Sequence, residues 1–140
     1  MEKLTINAVK RIAINDDESR IIEFDPTDML FIERFYKIYG ELETKNEEYQ
    51  AYLKKLDEES GGDVLKNFGE GIRYLKEMCQ YLRDKIDQLF GEGTSQKAFG
   101  DSLSFDMIGQ FFEGIMPYLW AERTQKVNKY LGKDNTNVMK

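Results

Sequence analysis

The glycine-rich segment between Phe90 and Gly100 contains the residues that could most directly do chemistry. Its run Gly91-Glu92-Gly93-Thr94 is superficially similar to a phosphate-binding glycine loop. Such loops follow a β-strand and open a helix within a strand–helix–strand unit, and P-loops also carry a lysine at a fixed position. Here the segment follows a helical pattern, and that position has no lysine. The sequence therefore favours a structural helix stop and restart over phosphate binding.

Acidic residues offer a second candidate chemistry, because paired carboxylates on one helix face bind divalent cations. Asp84 and Asp87 have this spacing but lie away from the apolar stripe, while Asp25 and Asp28 are explained by helix capping. The chain has no histidine, and Cys79, its single cysteine, falls on an apolar stripe and is expected in the core. We therefore expect no catalytic residue, no metal site, no cofactor and no enzymatic activity.

Composition and charge narrow the class of protein. The chain has 140 residues and a net charge of −6. Residues 121–140 are nevertheless basic, with five basic and two acidic residues. An acidic body disfavours binding to a nucleic-acid backbone. No apolar run reaches the length of a transmembrane helix, and residues 1–4 lack the apolar stretch of a signal peptide. These features predict a soluble intracellular protein that binds neither nucleic acid nor membrane.

The N-terminal residues alternate between apolar and polar types, which predicts two or three short strands over residues 3–24. The best turn signal is the polar run of residues 15–18. The alternating apolar residues fall into three groups: Leu4, Ile6 and Ala8; Ile12 and Ile14; Ile22 and Phe24.

Helical periodicity then predicts a long first helix. Asp25 can cap it, Pro26 suits its first position, and its pattern continues to about Leu56. After a break at residues 60–63, a second helix ends at Gly91, which suits the left-handed position after a helix. Its apolar stripe predicts a core face made of Val64, Phe68, Ile72, Leu75, Cys79, Leu82, Ile86 and Phe90.

Two further helices are predicted after this stop. Thr94 or Ser95 can cap a very short helix, Phe99 can anchor it in a core, and Gly100 ends it. Ser102 or Ser104 can then cap a final helix that Pro117 should kink. Its expected apolar face comprises Met107, Ile108, Phe111, Phe112, Ile115, Leu119, Val127 and Tyr130.

Together these patterns predict a mainly α fold. We expect three main helices and one short helix, with a small N-terminal β-hairpin or three-stranded antiparallel piece. Residues 1–131 should form a single domain, with a β-rich start over 1–24 and a helical body over 25–131. Residues 132–140 show no packing pattern and should fray.

Aromatic and apolar side chains at the margins of the helical stripes are the candidates for contact with another protein. Tyr36 and Tyr74 lie beside their stripes, and rings of this kind suit interfaces as well as core edges. Phe112, Met116 and Trp120 lie on the last helix, which is apolar on more than one face. The sequence leaves open whether these five residues form a contact surface or are buried.

The junction Phe90-Gly91-Glu92-Gly93-Thr94, with Lys97 and Phe99-Gly100, resembles the small tail assembly chaperones of siphophages that infect Gram-positive bacteria. The likeness covers roughly residues 20–131 and extends to the order of the parts. Related chains often end in an Arg-rich tail, whereas this one ends with Asp134-Asn135-Thr136-Asn137. Within this resemblance, the residues Phe90, Gly91, Gly93, Thr94, Phe99 and Gly100 define the fold at the junction.

The resemblance implies a non-enzymatic bacteriophage tail assembly chaperone. Such a protein binds the tape measure protein, helps to recruit the major tail tube protein, works in the host cell cytoplasm and is absent from the mature virion. The resemblance leaves open whether the protein associates with itself. The main alternative is a structural virion component such as a head–tail connector protein, and a helical metal-dependent nucleotide hydrolase is a more distant one.

Overall fold

A computed structural model describes the backbone of residues 1–131 and the side chains of residues 1–119. Its elements, in chain order, are β1 (Lys10–Ile14), β2 (Asp17–Phe24), α1 (Met29–Ser60), α2 (Val64–Phe90), α3 (Thr94–Phe99) and α4 (Phe105–Leu131). The predicted mainly α fold is confirmed, with three long helices, one short helix and a two-stranded antiparallel hairpin. The predicted frayed tail, residues 132–140, lies outside the described residues.

The hairpin turns more tightly than the sequence pattern indicates. Asn15 and Asp16 both have positive φ angles, 53° and 61°, as a type I′ turn requires. Ile12 pairs with Ile22, and in β2 the buried Ile22 and Phe24 flank the exposed Glu23, so the predicted alternation is confirmed for this strand. In β1 the side chains of residues 12–14 are all half-buried. Of the two or three strands predicted, the described chain has two, and residues 4–8 pair with no strand among residues 1–131.

Helix α1 begins three residues later than predicted. Asp28 is its N-cap and accepts a hydrogen bond from the Leu30 amide at 3.0 Å. Asp25 instead accepts from the Thr27 amide at 2.8 Å, and Pro26 between them is fully buried. The helix then continues without a break to Ser60, which confirms one long helix.

Helix α2 returns along α1 but turns only part of its predicted core stripe toward the core. Cys79, Leu82 and Ile86 are fully buried. Val64, Phe68 and Ile72 were expected on the same core face, and this expectation is wrong because all three are exposed. In this half of α2, the side that contacts α1 carries Asn67 and Gly71 instead.

An aromatic cluster joins β2, α1, α2 and α4. Ring centroids are 5.1 Å apart in the pairs Phe31–Phe90, Phe35–Phe112 and Phe90–Phe111. Phe24 of β2 stacks on Phe31 at 5.7 Å. The cluster therefore fixes the hairpin and the three long helices at one end of the molecule.

Helix α4 supplies the last wall of this core. The Ser104 hydroxyl oxygen accepts from the Met107 amide at 3.2 Å, so Ser104 is the capping residue of the two that were predicted. The helix continues past Pro117 to Leu131. Its predicted apolar face is confirmed at Ile108, Phe111, Phe112, Ile115 and Leu119, which are buried. Met107 is partly exposed, and the side chains of Val127 and Tyr130 lie outside the described ones.

The position of Phe35 at the centre of this cluster gives a direct test of the fold. Phe35→Ala should lower the free energy of unfolding by about 3–5 kcal/mol, because it leaves a cavity among other rings. Leu30→Ala, one turn earlier on the exposed side of α1, should change it by about 0.5 kcal/mol or less. Urea denaturation of both variants checks this; equal losses would contradict the assignment of the core.

Candidate functional site

The junction from Phe90 to Gly100 is held by a carboxylate from the preceding helix. Asp87 of α2 accepts from the Ser95 amide at 2.7 Å and from the Ser95 hydroxyl at 2.9 Å. Thr94 donates its hydroxyl hydrogen to the Gly91 carbonyl at 2.7 Å. Thr94 or Ser95 was predicted to be the N-cap of α3. This prediction is wrong, because Gly93 takes that position. The amide that a bound phosphate would contact is thus already occupied by a carboxylate.

Glycines are required at this junction for their backbone conformation. Gly91 has φ 120° and ψ 147°, which is a positive-φ extended conformation rather than the predicted left-handed helical one. Gly93 has φ 89° and ψ −6°, in the left-handed region. Both conformations are costly for residues with a Cβ atom.

Two arginines fasten α3 to the rest of the fold. Arg83 is buried and donates to the side-chain oxygen of Gln96 in α3 at 3.3 Å and to the Ser102 carbonyl after α3 at 2.7 Å. Arg20 of β2 donates to the carbonyls of Lys97 and Ala98 at 2.7 and 3.0 Å. Phe99 is buried as predicted. Sequence reasoning missed both arginines and the role of Asp87, since their carbonyl and hydroxyl partners have no sequence signature.

Groups that could do chemistry are otherwise sparse in the described part of the chain. No cluster of three or more Cys, Asp or Glu side chains there has the arrangement of a metal site. Cys79 is buried as expected, and burial raises the pKa of its thiol, which lowers its reactivity. No helix within the described residues is long and apolar enough to cross a membrane.

Four of the five predicted contact residues have described side chains, and these lie in three different settings. Phe112 is fully buried against Phe35, so it offers no contact surface. Tyr36 and Met116 line one shallow depression of about 340 Å³, together with Glu113 and Pro117. Tyr74 is half-buried and stacks on Tyr52 at 4.5 Å, and burial raises the pKa of its hydroxyl. The side chain of Trp120 lies outside the described ones.

A row of exposed apolar side chains on α2 was not predicted as a surface at all. We call it the α2 ridge: Val64, Leu65, Phe68 and Ile72, exposed by 76%, 85%, 67% and 43%. Most of it continues the face of α2 that carries Cys79 and Ile86 farther along. The aromatic cluster packs only against the C-terminal end of α2. The apolar stripe of the N-terminal half is therefore exposed to solvent.

A groove between α1 and α2 provides a contrasting, cationic surface. Arg34, Lys37 and Lys85 lie along it with the single carboxylate of Glu41, above an apolar floor that includes Ile38. The groove encloses about 360 Å³. Its charge is opposite to that of the chain as a whole, so it suits an acidic group of a partner.

Comparison with protein families places the chain. A family model matches residues 16–139, which is most of its length. The chain belongs to a family of unknown function, DUF6673. No curated protein and no solved structure matches it. The family match covers β2, all four helices and the junction, whereas β1 and the residues before it lie outside the matched region.

The contrast between Asp87 and Asp84 tests the structural role of the junction. Asp87→Ala should lower the free energy of unfolding by about 1–3 kcal/mol, because it leaves the Ser95 amide and hydroxyl without their acceptor. Asp84→Ala, on an exposed side of the same helix, should cost about 0.5 kcal/mol or less, because Asp84 contacts only Gln80. Thermal and urea denaturation measure both free energies. An Asp87→Ala protein with unchanged stability would contradict the proposed role of Asp87 in holding the junction.

Proposed function

We propose that this protein is a non-enzymatic chaperone of bacteriophage tail assembly that binds apolar helical segments of the tape measure protein. The observation that carries the proposal is the α2 ridge, a row of large apolar side chains left open on a helix. Exposed apolar patches of this kind serve as protein-binding surfaces. The resemblance of the Phe90–Gly100 junction to siphophage tail assembly chaperones supports the choice of partner.

The chemistry of the ridge suits an amphipathic helix as its ligand. Leu65, Phe68 and Ile72 follow one another at helical spacing, so a partner helix can lay its own apolar stripe along them. Complete burial of one such side chain contributes about 1.5–3 kcal/mol. Lys66, Glu70 and Arg73 beside the ridge keep its surroundings charged, which favours solubility before the partner is bound.

The wider surface is consistent with a soluble holding protein. The net charge of −6 resists self-precipitation at high occupancy on a long partner. The major tail tube protein is a second proposed partner, and the proposed site of action is the host cell cytoplasm. On this proposal the protein leaves before the virion is complete, so stoichiometric copies in purified virions would contradict it and favour a structural role such as a head–tail connector.

Co-expression tests the proposal and its surface together. An apolar helical fragment of the tape measure protein from the same phage should become soluble only when it is expressed with this protein. Phe68→Glu should abolish most of that rescue, because it places a charge in the middle of the ridge. Leu30→Glu is the matched control, since Leu30 is exposed by 61% on α1, away from the ridge, and the variant should rescue fully.

The outcomes of this experiment test the proposed function and the proposed binding surface separately. Failure of the wild-type protein to rescue the fragment would contradict the proposed function. Rescue by Phe68→Glu at the wild-type level would contradict the ridge as the binding surface. Circular dichroism of each purified variant establishes that it is folded, so a loss of rescue is assigned to the surface.

A further inference from the structure

The alternating pattern of β1 extends well beyond the strand itself. Every second residue from Leu4 to Ile14 is apolar except Lys10, and the series is Leu4, Ile6, Ala8, Ile12 and Ile14. Only Lys10–Ile14 is paired, with β2. Leu4 and Ile6 are each 86% exposed. A segment with the pattern of a half-buried strand therefore has neither a strand partner nor a covered face within the described chain.

The free edge of β1 is the complementary feature. The other edge of the hairpin is occupied by α3, where Lys97 donates to the Ile21 carbonyl at 3.1 Å and Arg20 donates to two carbonyls of α3. The outer edge of β1 has no strand beside it among residues 1–131. Such an edge presents alternate backbone N–H and C=O groups to an added strand.

A groove with one apolar wall lies beside β1. It encloses about 290 Å³ between β1 and α4, and Asn15 and Gln110 contribute its polar lining. Its apolar wall includes Ile12, Ile14, Phe99, Met107, Phe111 and Ile115. Ile12 points to the core side of the hairpin, since its partner Ile22 is buried. An added strand with apolar residues on that same side would place them over the groove.

The N-terminal segment of the same chain cannot cover the groove as that added strand. It continues directly into β1 at Val9–Lys10, so an antiparallel return would need a reversal within residues 4–9. The strong turn-forming residue there is Asn7, whose side chain accepts a hydrogen bond from the Val9 amide at 3.0 Å. A two-residue turn at Asn7 and Ala8 would place Ile6 opposite Val9, which turns Leu4 and Ile6 away from the groove. The matching segment of a second copy has no such restriction.

We propose that two copies of this chain associate through an antiparallel pair of their residues 4–14, with Val9 opposite Val9 of the second copy. Ile6 then lies opposite Ile12, and Leu4 opposite Ile14, on the core side of both hairpins. The two hairpins become one four-stranded sheet, and the apolar wall of each groove is covered by the partner's Leu4 and Ile6. The contact is self-complementary, as a twofold dimer requires.

Charge and side-chain direction select this register over its neighbours. Sliding by two residues in one direction places Lys10 opposite Lys10, which like-charge repulsion disfavours. Sliding by two in the other direction places Ile6 opposite Lys10. A shift by an odd number of residues places even-numbered residues of one strand opposite odd-numbered residues of the other. The apolar side chains of the two strands would then lie on opposite faces of the sheet. Arg11 causes no conflict, since Glu23 pairs with it at 3.0 Å.

Engineered cysteines test the register, because Cys79 is buried and each variant adds one accessible thiol. Val9→Cys should form a covalent dimer on mild oxidation or with a short bis-maleimide. Thr5→Cys alone should not, because its two copies would lie eight residues apart along the pair, about 27 Å. A mixture of Thr5→Cys and Ala13→Cys proteins should again cross-link, because the proposed register places these two positions opposite each other.

A second measurement tests the association itself. The wild-type chain should sediment at twice its mass of 16.4 kDa, and Ile6→Asp should sediment as a monomer with an unchanged circular dichroism spectrum. Thr5→Asp, on the outward side of the same segment, should remain dimeric. A wild-type monomer at all concentrations, a dimer that survives Ile6→Asp, or cross-linking of Thr5→Cys as fast as Val9→Cys would each overturn the proposal. None of these readouts depends on the tape measure protein, so they are independent of the proposed function.

Discussion

The contact of Phe90 with Phe31 and Phe111 is the interaction on which the rest of the structure depends. Phe90 is the last residue of α2, and its ring lies 5.1 Å from each of the other two. Phe24 of β2 also meets it, at 5.8 Å. One ring therefore joins the hairpin to three helices, directly before the chain leaves α2. The glycines that follow it, together with the Asp87 carboxylate one turn before it, set the path of the chain from that ring into α3 and α4.

The aromatic core lies at the Phe90 end of α2. The other half of the α1–α2 pair, where the C-terminal part of α1 meets the N-terminal part of α2, is packed differently. There Asn67 donates to the Asp57 carboxylate at 2.7 Å and accepts from the Ser60 hydroxyl at 2.8 Å. Gly71 allows close approach, since a Cβ atom there would lie 3.0 Å from Leu53. The two helices are thus held together by these polar contacts, by the close approach at Gly71 and by the stacking of Tyr74 on Tyr52. The apolar stripe of α2 is not used for this purpose and remains open as the α2 ridge.

The sequence was a good guide to which elements exist and a poorer guide to what covers them. The hairpin, the long helices, the break at residues 60–63 and the short α3 follow from local signals such as periodicity, caps and glycines. Burial of a stripe is a tertiary property, however, and the period of α2 is the same at Phe68, which is exposed, as at Ile86, which is buried. Phe112, on the expected apolar face of the last helix, and Tyr36, beside its stripe, were both left open as contact residues for the same reason. Asp87, Arg83 and Arg20 could not be assigned because their partners are distant carbonyls or a hydroxyl.

The central claim is that the open half of α2 is where a partner helix binds. Hydrogen–deuterium exchange, read peptide by peptide with and without a bound tape measure fragment, tests it most directly. The account predicts that exchange slows over residues 64–75 on binding and stays unchanged over residues 78–90, which are already packed in the core. Unchanged exchange over residues 64–75, with slowing confined to the surface of Tyr36 and Met116, would contradict it.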